Sequence, residues 1–165
     1  METEAIDRLA ATPKAIAQLV AEATDAELDS ADGHDWSART IIAHLRDDDS
    51  LVFRSRLERM LAEDHPQLVP FDEGAWAASR NRSRDRKEEI LGDFALQRQA
   101  AINRLRSMSE ADWARKGTQP EYGTWTVAGF VEHWLGHDET HIAQLEGALG
   151  VTLAEVMERR FGGRS

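Results

Sequence analysis

Val127-Ala-Gly-Phe-Val-Glu-His133-Trp-Leu-Gly-His137-Asp-Glu-Thr-His141-Ile-Ala-Gln-Leu145-Glu-Gly-Ala-Leu149 is the stretch that decides the fold class of this 165-residue chain. Its apolar residues, among them Val127, Phe130, Val131, Trp134, Ile142 and Leu145, return at three- and four-residue spacing and so line one face of a helix. Thr126 before it suits an N-cap, and Gly150 after it has no Cβ to oppose a left-handed helix end. The same period recurs upstream. It predicts a first helix from about Glu4 to Glu22, a second from Ser37 to about Ala62 and a third over Asp85–Met108, with a weaker tail helix at Leu153–Arg160. Alternating β-branched runs are absent. Four long helices with apolar stripes predict an all-α fold, a four-helix bundle forming a single domain over residues 1–165.

The connections differ in kind. Thr24–Asp35 is acidic and contains Gly33, which predicts a loop, and Lys116–Thr124 reads the same way from Gly117, Pro120 and Gly123. Ser109-Glu-Ala-Asp112 predicts a capped single turn. Glu63–Arg84, between helices two and three, carries Pro66, Pro70 and Gly74 and leaves room for a short helical turn at Glu73–Ser79. A connection this long in a bundle is either functional or a crossover between helix ends that are not adjacent. An internal repeat appears at an offset of 89 residues: Trp36-Ser37 to His44 matches Trp125-Thr126 to His133, and Asp49 matches Asp138. Two related helical hairpins account for that match, as does a recurrent Trp-Ser/Thr helix start.

Composition narrows the function. Cysteine is absent, which excludes a disulfide framework, a cysteine-based zinc or iron–sulfur site and a thiol nucleophile. A net charge of −10 disfavours a nucleic-acid partner. The N-terminal stretch has acids where a signal peptide needs positive charge, and no apolar run reaches the ~18 residues of a membrane span. A cytoplasmic protein without a membrane partner is the expectation.

Three of the six histidines, His133, His137 and His141, share one nine-residue window at i, i+4 and i+8. Neighbouring pairs stand about 6 Å apart along a helix axis and can share one ion; the outer two, about 12 Å apart, cannot. At ~100° per residue, His141 lies about 40° from the centre of the apolar face, His137 about 80° and His133 about 120°. His137 and His141 therefore point inward and His133 leans to the rim. On the second helix His44 borders the stripe of Ile41, Ile42, Leu45, Val52 and Phe53. Two imidazoles from one helix and one from a facing helix make a three-histidine site with an open coordination position, as in catalytic metal centres. Surface histidines spaced by chance are the alternative.

Asp49 and Asp138 occupy core-facing positions and need partners. Each either accepts a hydrogen bond from a ligand imidazole or a buried Trp, or pairs with an arginine such as Arg56. Asp48, one turn after His44, is a candidate fourth ligand or base, and Asp138, next to His137, is the second candidate catalytic acid. Glu139 faces away from the stripe, and Asp rather than Glu follows His137, which disfavours the His-Glu-x-x-His protease pattern. Trp36, Trp125 and Trp134 read as packing residues, whereas Trp76 in the long connection is the candidate for a pocket rim or a dimer contact. Arg80, Arg82, Arg84, Arg86 and Lys87 form a basic run that either pairs with Glu88 and Glu89 or binds an anion.

Two segments carry a family resemblance: Trp36-Ser-Ala-Arg-Thr-Ile-Ile-Ala-His44-Leu-Arg-Asp47, and Gly123 through Leu145 with its His137-Asp-Glu-Thr-His141 core. With Pro70-Phe-Asp-Glu-Gly-Ala-Trp76 they resemble the DinB-like (damage-inducible, YfiT-like) family of metalloenzymes over about residues 34–149. The resemblance implies a four-helix bundle with a divalent metal on His44, His137 and His141, the triad the helical wheel also selects. It further implies a homodimer, a small-molecule substrate and, in some members, a thiol-dependent transferase or isomerase using a low-molecular-weight thiol. The expectation is thus a metal-dependent enzyme, a thiol-dependent transferase or a hydrolase, with zinc or nickel the foremost metals. A non-enzymatic metal- or ligand-binding bundle is the alternative.

Overall fold

The apolar stripes face one another across a square of four long helices. The computed structural model describes residues 2–31, 33 and 35–162. Residues 1 and 163–165 of the expected domain, and positions 32 and 34 of the expected Thr24–Asp35 loop, lie outside the described residues. Helix α1 spans Glu2–Leu19. A short helix, α2 (Asp25–Asp29), interrupts the segment expected to be a loop, because Thr24 and Glu27 cap it reciprocally. α3 covers Ala38–Asp48, its Thr40 N–H donating to the Ser37 hydroxyl at 3.3 Å. The chain then makes a π-type turn over Asp49–Arg54 and resumes as α4, Ser55–Ala62. The helix expected to run regularly to Ala62 therefore carries an extra residue in mid-span. α5 (Glu73–Ser79) forms in the long connection on its Asp72 cap. α6 (Lys87–Arg106), α7 (Glu110–Trp113, capped by Ser109) and, further on, α8 (Val127–Leu149) and α9 (Leu153–Phe161) complete the helices. Gly150, at φ 63°, ends α8 in the left-handed conformation.

Lys116–Thr124 is not a loop. Strands β1 (Lys116–Gln119) and β2 (Gly123–Thr126) pair antiparallel, with Gly117 opposite Trp125. Four residues are too few to display alternation, so the ribbon leaves no periodic signal. Packing dictates Gly117, since a Cβ there would meet Met60 Cγ at 3.0 Å and Leu68 Cδ1 at 3.3 Å.

α1 and α3 each pack on both α6 and α8, so α1 and α3 stand on one diagonal of the square. One apolar cluster joins Leu9, Val52, Phe53, Ile102, Phe130 and Trp134; a second joins Ile16, Ile41, Leu45, Phe94 and Leu145. Tracing each helix between the clusters gives its direction: α1 and α8 run one way, α3–α4 and α6 the other. Because α3–α4 and α6 are parallel, the Glu63–Arg84 connection must carry the chain back along the bundle, which accounts for its length. None of the described helices is long and apolar enough to cross a membrane.

A polar layer separates the two clusters. Arg98 of α6, 1% exposed, donates through Nε to Asp49 Oδ1 (2.8 Å) and through Nη1 to Asp138 Oδ2 (2.6 Å) and the Leu9 carbonyl (2.8 Å). That carbonyl is available because the residue four positions on is Pro13, which has no N–H to complete the helical bond. One guanidinium thus joins α1, the π turn, α6 and α8. Asp49 and Asp138 were expected to support an imidazole or to pair with an arginine such as Arg56; the arginine they share is Arg98, which lies on a third helix that carries no repeat motif. Burial alone would lower the pKa of Arg98, but Asp138 and Asp49 outweigh it and raise it. Burial would likewise raise Asp138, yet Arg98 and His137 hold it below the usual carboxylate range, whereas Asp49 is pushed by burial up to about 6 even against Arg98.

Arg98→Met leaves two carboxylates buried without a counter-charge. It should destabilise the fold by about 3–5 kcal/mol in urea unfolding, and adding Asp49→Asn and Asp138→Asn should recover part of the loss. A loss under about 1 kcal/mol would show that the triad does not hold the bundle together.

Candidate metal centre

Ser37 and Thr126 start α3 and α8 on hydroxyl caps, which fixes where each helix begins and therefore which residues face each other. The two helices lie side by side, and the facing turns carry His44 on one and His137 and His141 on the other. One ring nitrogen from each lies within 4.8 Å of the other two. His137 Nε2 and His44 Nε2 are 3.3 Å apart, and the ring centroids of His44 and His141 are 4.6 Å apart. His44 is fully buried, His141 nearly so, and His137 is half-buried.

Aromatic rings and hydrogen bonds set these imidazoles in place. Trp36 stacks on His141 at 7° between planes and meets His44 edge-on, and Phe53 meets His137 edge-on at 4.8 Å. Gln144 Oε1 lies 2.8 Å from His141 Nδ1, which leaves His141 Nε2 to face the cluster. Asp48, also buried, places Oδ1 3.4 Å from His44 Nδ1 and Oδ2 3.4 Å from His137 Nε2. Burial pushes His44 down to about 2, with His141 and His137 adding to the effect, and pushes His141 down to about 4. For His137 burial acts downward too, but the nearby carboxylates of Asp138 and Asp48 outweigh it and raise the ring to about 9. Burial raises Asp48.

These donors fit a divalent cation. Two imidazoles are neutral, with lone pairs converging, and the protein does not satisfy the cluster by itself: His44 Nδ1, His137 Nδ1 and Asp48 Oδ1 are buried without a hydrogen-bond partner. Three nitrogens suit zinc, nickel, copper or iron(II). A cavity of about 460 Å³ opens onto His137, His141 and Asp48 and is walled by Phe53, Arg56 and Glu73 among others.

The remaining sequence candidates separate cleanly. His133 stays out of the cluster and lines the cavity, packed against Trp125 and Tyr122. Asp138 is held by Arg98 through both oxygens and does not line the cavity, so it positions His137 and has no part in proton transfer with a substrate. Trp76 is not at the pocket rim. It is buried between Trp36 and His44, and its indole N–H donates to Asp47 Oδ2 at 3.0 Å. The long connection instead gives the cavity Phe71 and Glu73. Glu139 is exposed and pairs with Arg8. The basic run serves structure: Arg80 pairs with Asp85 at 3.0 Å, Arg84 with Asp93 at 2.9 Å, and Lys87 donates to the Ala23 carbonyl at 2.9 Å. Of the expected glutamates only Glu89 takes part, 3.6 Å from Arg86. Tyr122, Gln119 and Gln144 are among the cavity residues the sequence did not single out, and Arg56, read there only as a partner for the buried acids, is another that lines it.

The DinB superfamily model matches residues 8–145. A protein of Oceanobacillus iheyensis named as a putative metal-dependent hydrolase is 24% identical over 143 residues, covering 86% of this chain and 82% of its own. Among solved structures, YfiT from Bacillus subtilis, described as a probable metal-dependent hydrolase with an unusual four-helix bundle topology, aligns at a TM-score of 0.76 and 23% identity. That alignment covers 92% of this chain and 89% of YfiT.

Because Trp76 backs His44 and does not border the cavity, Trp76→Phe keeps a ring there and removes one hydrogen bond to a carboxylate. Denaturant unfolding should show a loss of about 1.5–3 kcal/mol. An unchanged midpoint would show that the Asp47 bond does not hold the connection down.

Proposed function

The chain belongs to the DinB superfamily, and from that premise we propose that it is a divalent-metal-dependent hydrolase of a small molecule, with His44, His137 and His141 as the metal ligands. The observation that carries the reading is the convergence of three imidazole nitrogens, incompletely satisfied by the protein, at the wall of an open cavity. The descriptions of the two relatives point the same way. A divalent ion bound there supplies Lewis acidity toward a substrate oxygen and toward water.

The chain's own groups have separable tasks. Asp48, raised by burial and facing the cavity, accepts a proton from water and stays within reach of two ligand rings, so one carboxylate both orients and receives. Gln144 holds His141 in one tautomer, and the Asp138 carboxylate, fixed by Arg98, stands 3.8 Å from His137 Nδ1 and favours a proton there. His133, whose pKa burial lowers, lines the same cavity and offers the substrate a hydrogen bond. A low-molecular-weight thiol in place of water makes the same site a transferase. The cavity's size supports a small substrate, and the −10 charge supports the absence of a nucleic-acid partner; a cytoplasmic place without a membrane partner rests on the sequence pattern. A homodimer rests on the family resemblance.

The test uses untagged protein loaded with zinc or nickel and a panel of activated esters and amides, with and without chelator. Asp48→Asn should lower kcat by about 10²–10⁴-fold at unchanged metal content. His44→Ala should abolish metal binding with the helical circular dichroism retained, because the two apolar clusters do not depend on the ion. Turnover that requires added thiol would reassign the reaction to transfer, and a chain that binds no metal would end the reading.

A further inference from the structure

Among the described residues three arginines are buried. Arg46 pairs with Asp47 at 2.7 Å and Asp85 at 3.2 Å, and Arg98 pairs with Asp49 and Asp138. Arg56 differs from both. It is 8% exposed, its Nη2 donates only to the Val69 carbonyl at 2.7 Å, and its Nε is buried with no hydrogen-bond partner. No carboxylate among the described residues lies within ion-pair distance of it. A buried guanidinium cannot shed its proton, so without a counter-charge it is expensive to keep. Burial lowers its pKa, and Asp48, Tyr122 and Glu121 offset this only from a distance. Arg56 also lines the cavity that holds Asp48, His137 and His141.

The π turn accounts for its aim. In a regular helix the residue eight positions after Asp48 is rotated by about 80° from it. The turn over Asp49–Arg54 inserts about one residue, so Arg56 takes the angular place of a seventh residue, about 20° from Asp48. Long helical side chains lean toward the helix N-terminus, which brings the guanidinium back toward the level of Asp48.

We propose that Arg56 is the specificity residue for a carboxylate on the substrate, so that the cavity takes a small monoanionic carboxylate with its reacting group toward the three histidines. The planar guanidinium matches a carboxylate, and of its three nitrogens only Nη2 donates to a protein acceptor. A single negative charge fits better than a phosphate dianion, because Asp48, Glu73 and Glu121 share the cavity. The reacting end rests on the hydrolase reading; the carboxylate grip does not.

The test is run on the full chain after metal chelation, where a carboxylate cannot bind through a metal, and repeated with zinc. Acetate, butyrate and benzoate, each beside its own amide, and inorganic phosphate are titrated while the ¹⁵Nε resonance of Arg56 is followed by NMR. At least one acid should bind about tenfold more tightly than its amide and shift that resonance. Arg56→Gln should abolish the preference and spare amide binding. Arg56→Lys, which keeps the charge and loses the fork, should retain a weaker preference; should the Gln variant fail to fold, that weakening at unchanged amide binding decides. Equal binding of acid and amide, no binding by about 10 mM, a preference that survives Arg56→Gln, or tighter binding of phosphate than of every acid would overturn the proposal. A chain that prefers carboxylates and binds no metal would sink the hydrolase reading alone. One that binds metal without the preference would sink only this proposal.

Discussion

Arg98 lies where four helices meet, between two apolar clusters with no buried member in common, and its guanidinium ties α6 to the other three. Each contact restricts a helix. The bond to Leu9 fixes the height of α1, because only the carbonyl opposite Pro13 is free within that helix to accept. The bonds to Asp49 and Asp138 fix α3 against α8 at the level of the histidine cluster. A buried ionic group of this kind is weak evidence for stability, since apolar residues of equal volume often serve as well. Its evident role here is register. Sliding any one helix by a turn would strand a buried charge, so the arrangement that brings the histidines together is the one that satisfies Arg98.

The cluster depends on that register for its chemistry. Asp138 lies next to His137 in sequence and shares its turn of helix, so holding the carboxylate also holds the imidazole. On the other side, Trp76 and Asp47 clamp the returning connection over His44. The polar layer and the aromatic shell therefore carry out what backbone flexibility would otherwise undo: they keep His44, His141 and Asp48 buried and close together, an arrangement whose mutual desolvation a satisfied core would not retain.

The four long helices, the Ser37 and Thr126 caps and the convergence of His44, His137 and His141 were legible because each rests on a local or periodic signal. The remaining features lacked one. The Thr24–Glu27 capping box was present in the sequence but was masked by an acidic stretch that reads equally well as a loop. β1 and β2 are four residues each and depend on a turn that Pro120 and Gly123 mark without revealing the pairing. Arg98 as the partner of Asp49 and Asp138 was illegible, since the repeat that pairs the two acids has no counterpart on α6. Trp76 was misplaced because the direction in which a long connection folds back depends on helix polarity, which periodicity does not report.

The extra residue between Asp49 and Arg54 bears on how such a site is encoded. Wound as a regular α-helix, the same residues would turn everything from Ser55 onward by about 100°. Arg56 would then swing away from the cavity, and the packing face of Leu57 and Met60 would rotate out of the core with it. The aim of the cavity's buried arginine is therefore set by how the Asp49–Arg54 segment winds, with one residue more than a regular helix needs to reach the same angle. Two chains alike at every histidine, one with this turn and one with a regular helix of the same length, would hold the same ion in front of differently charged walls.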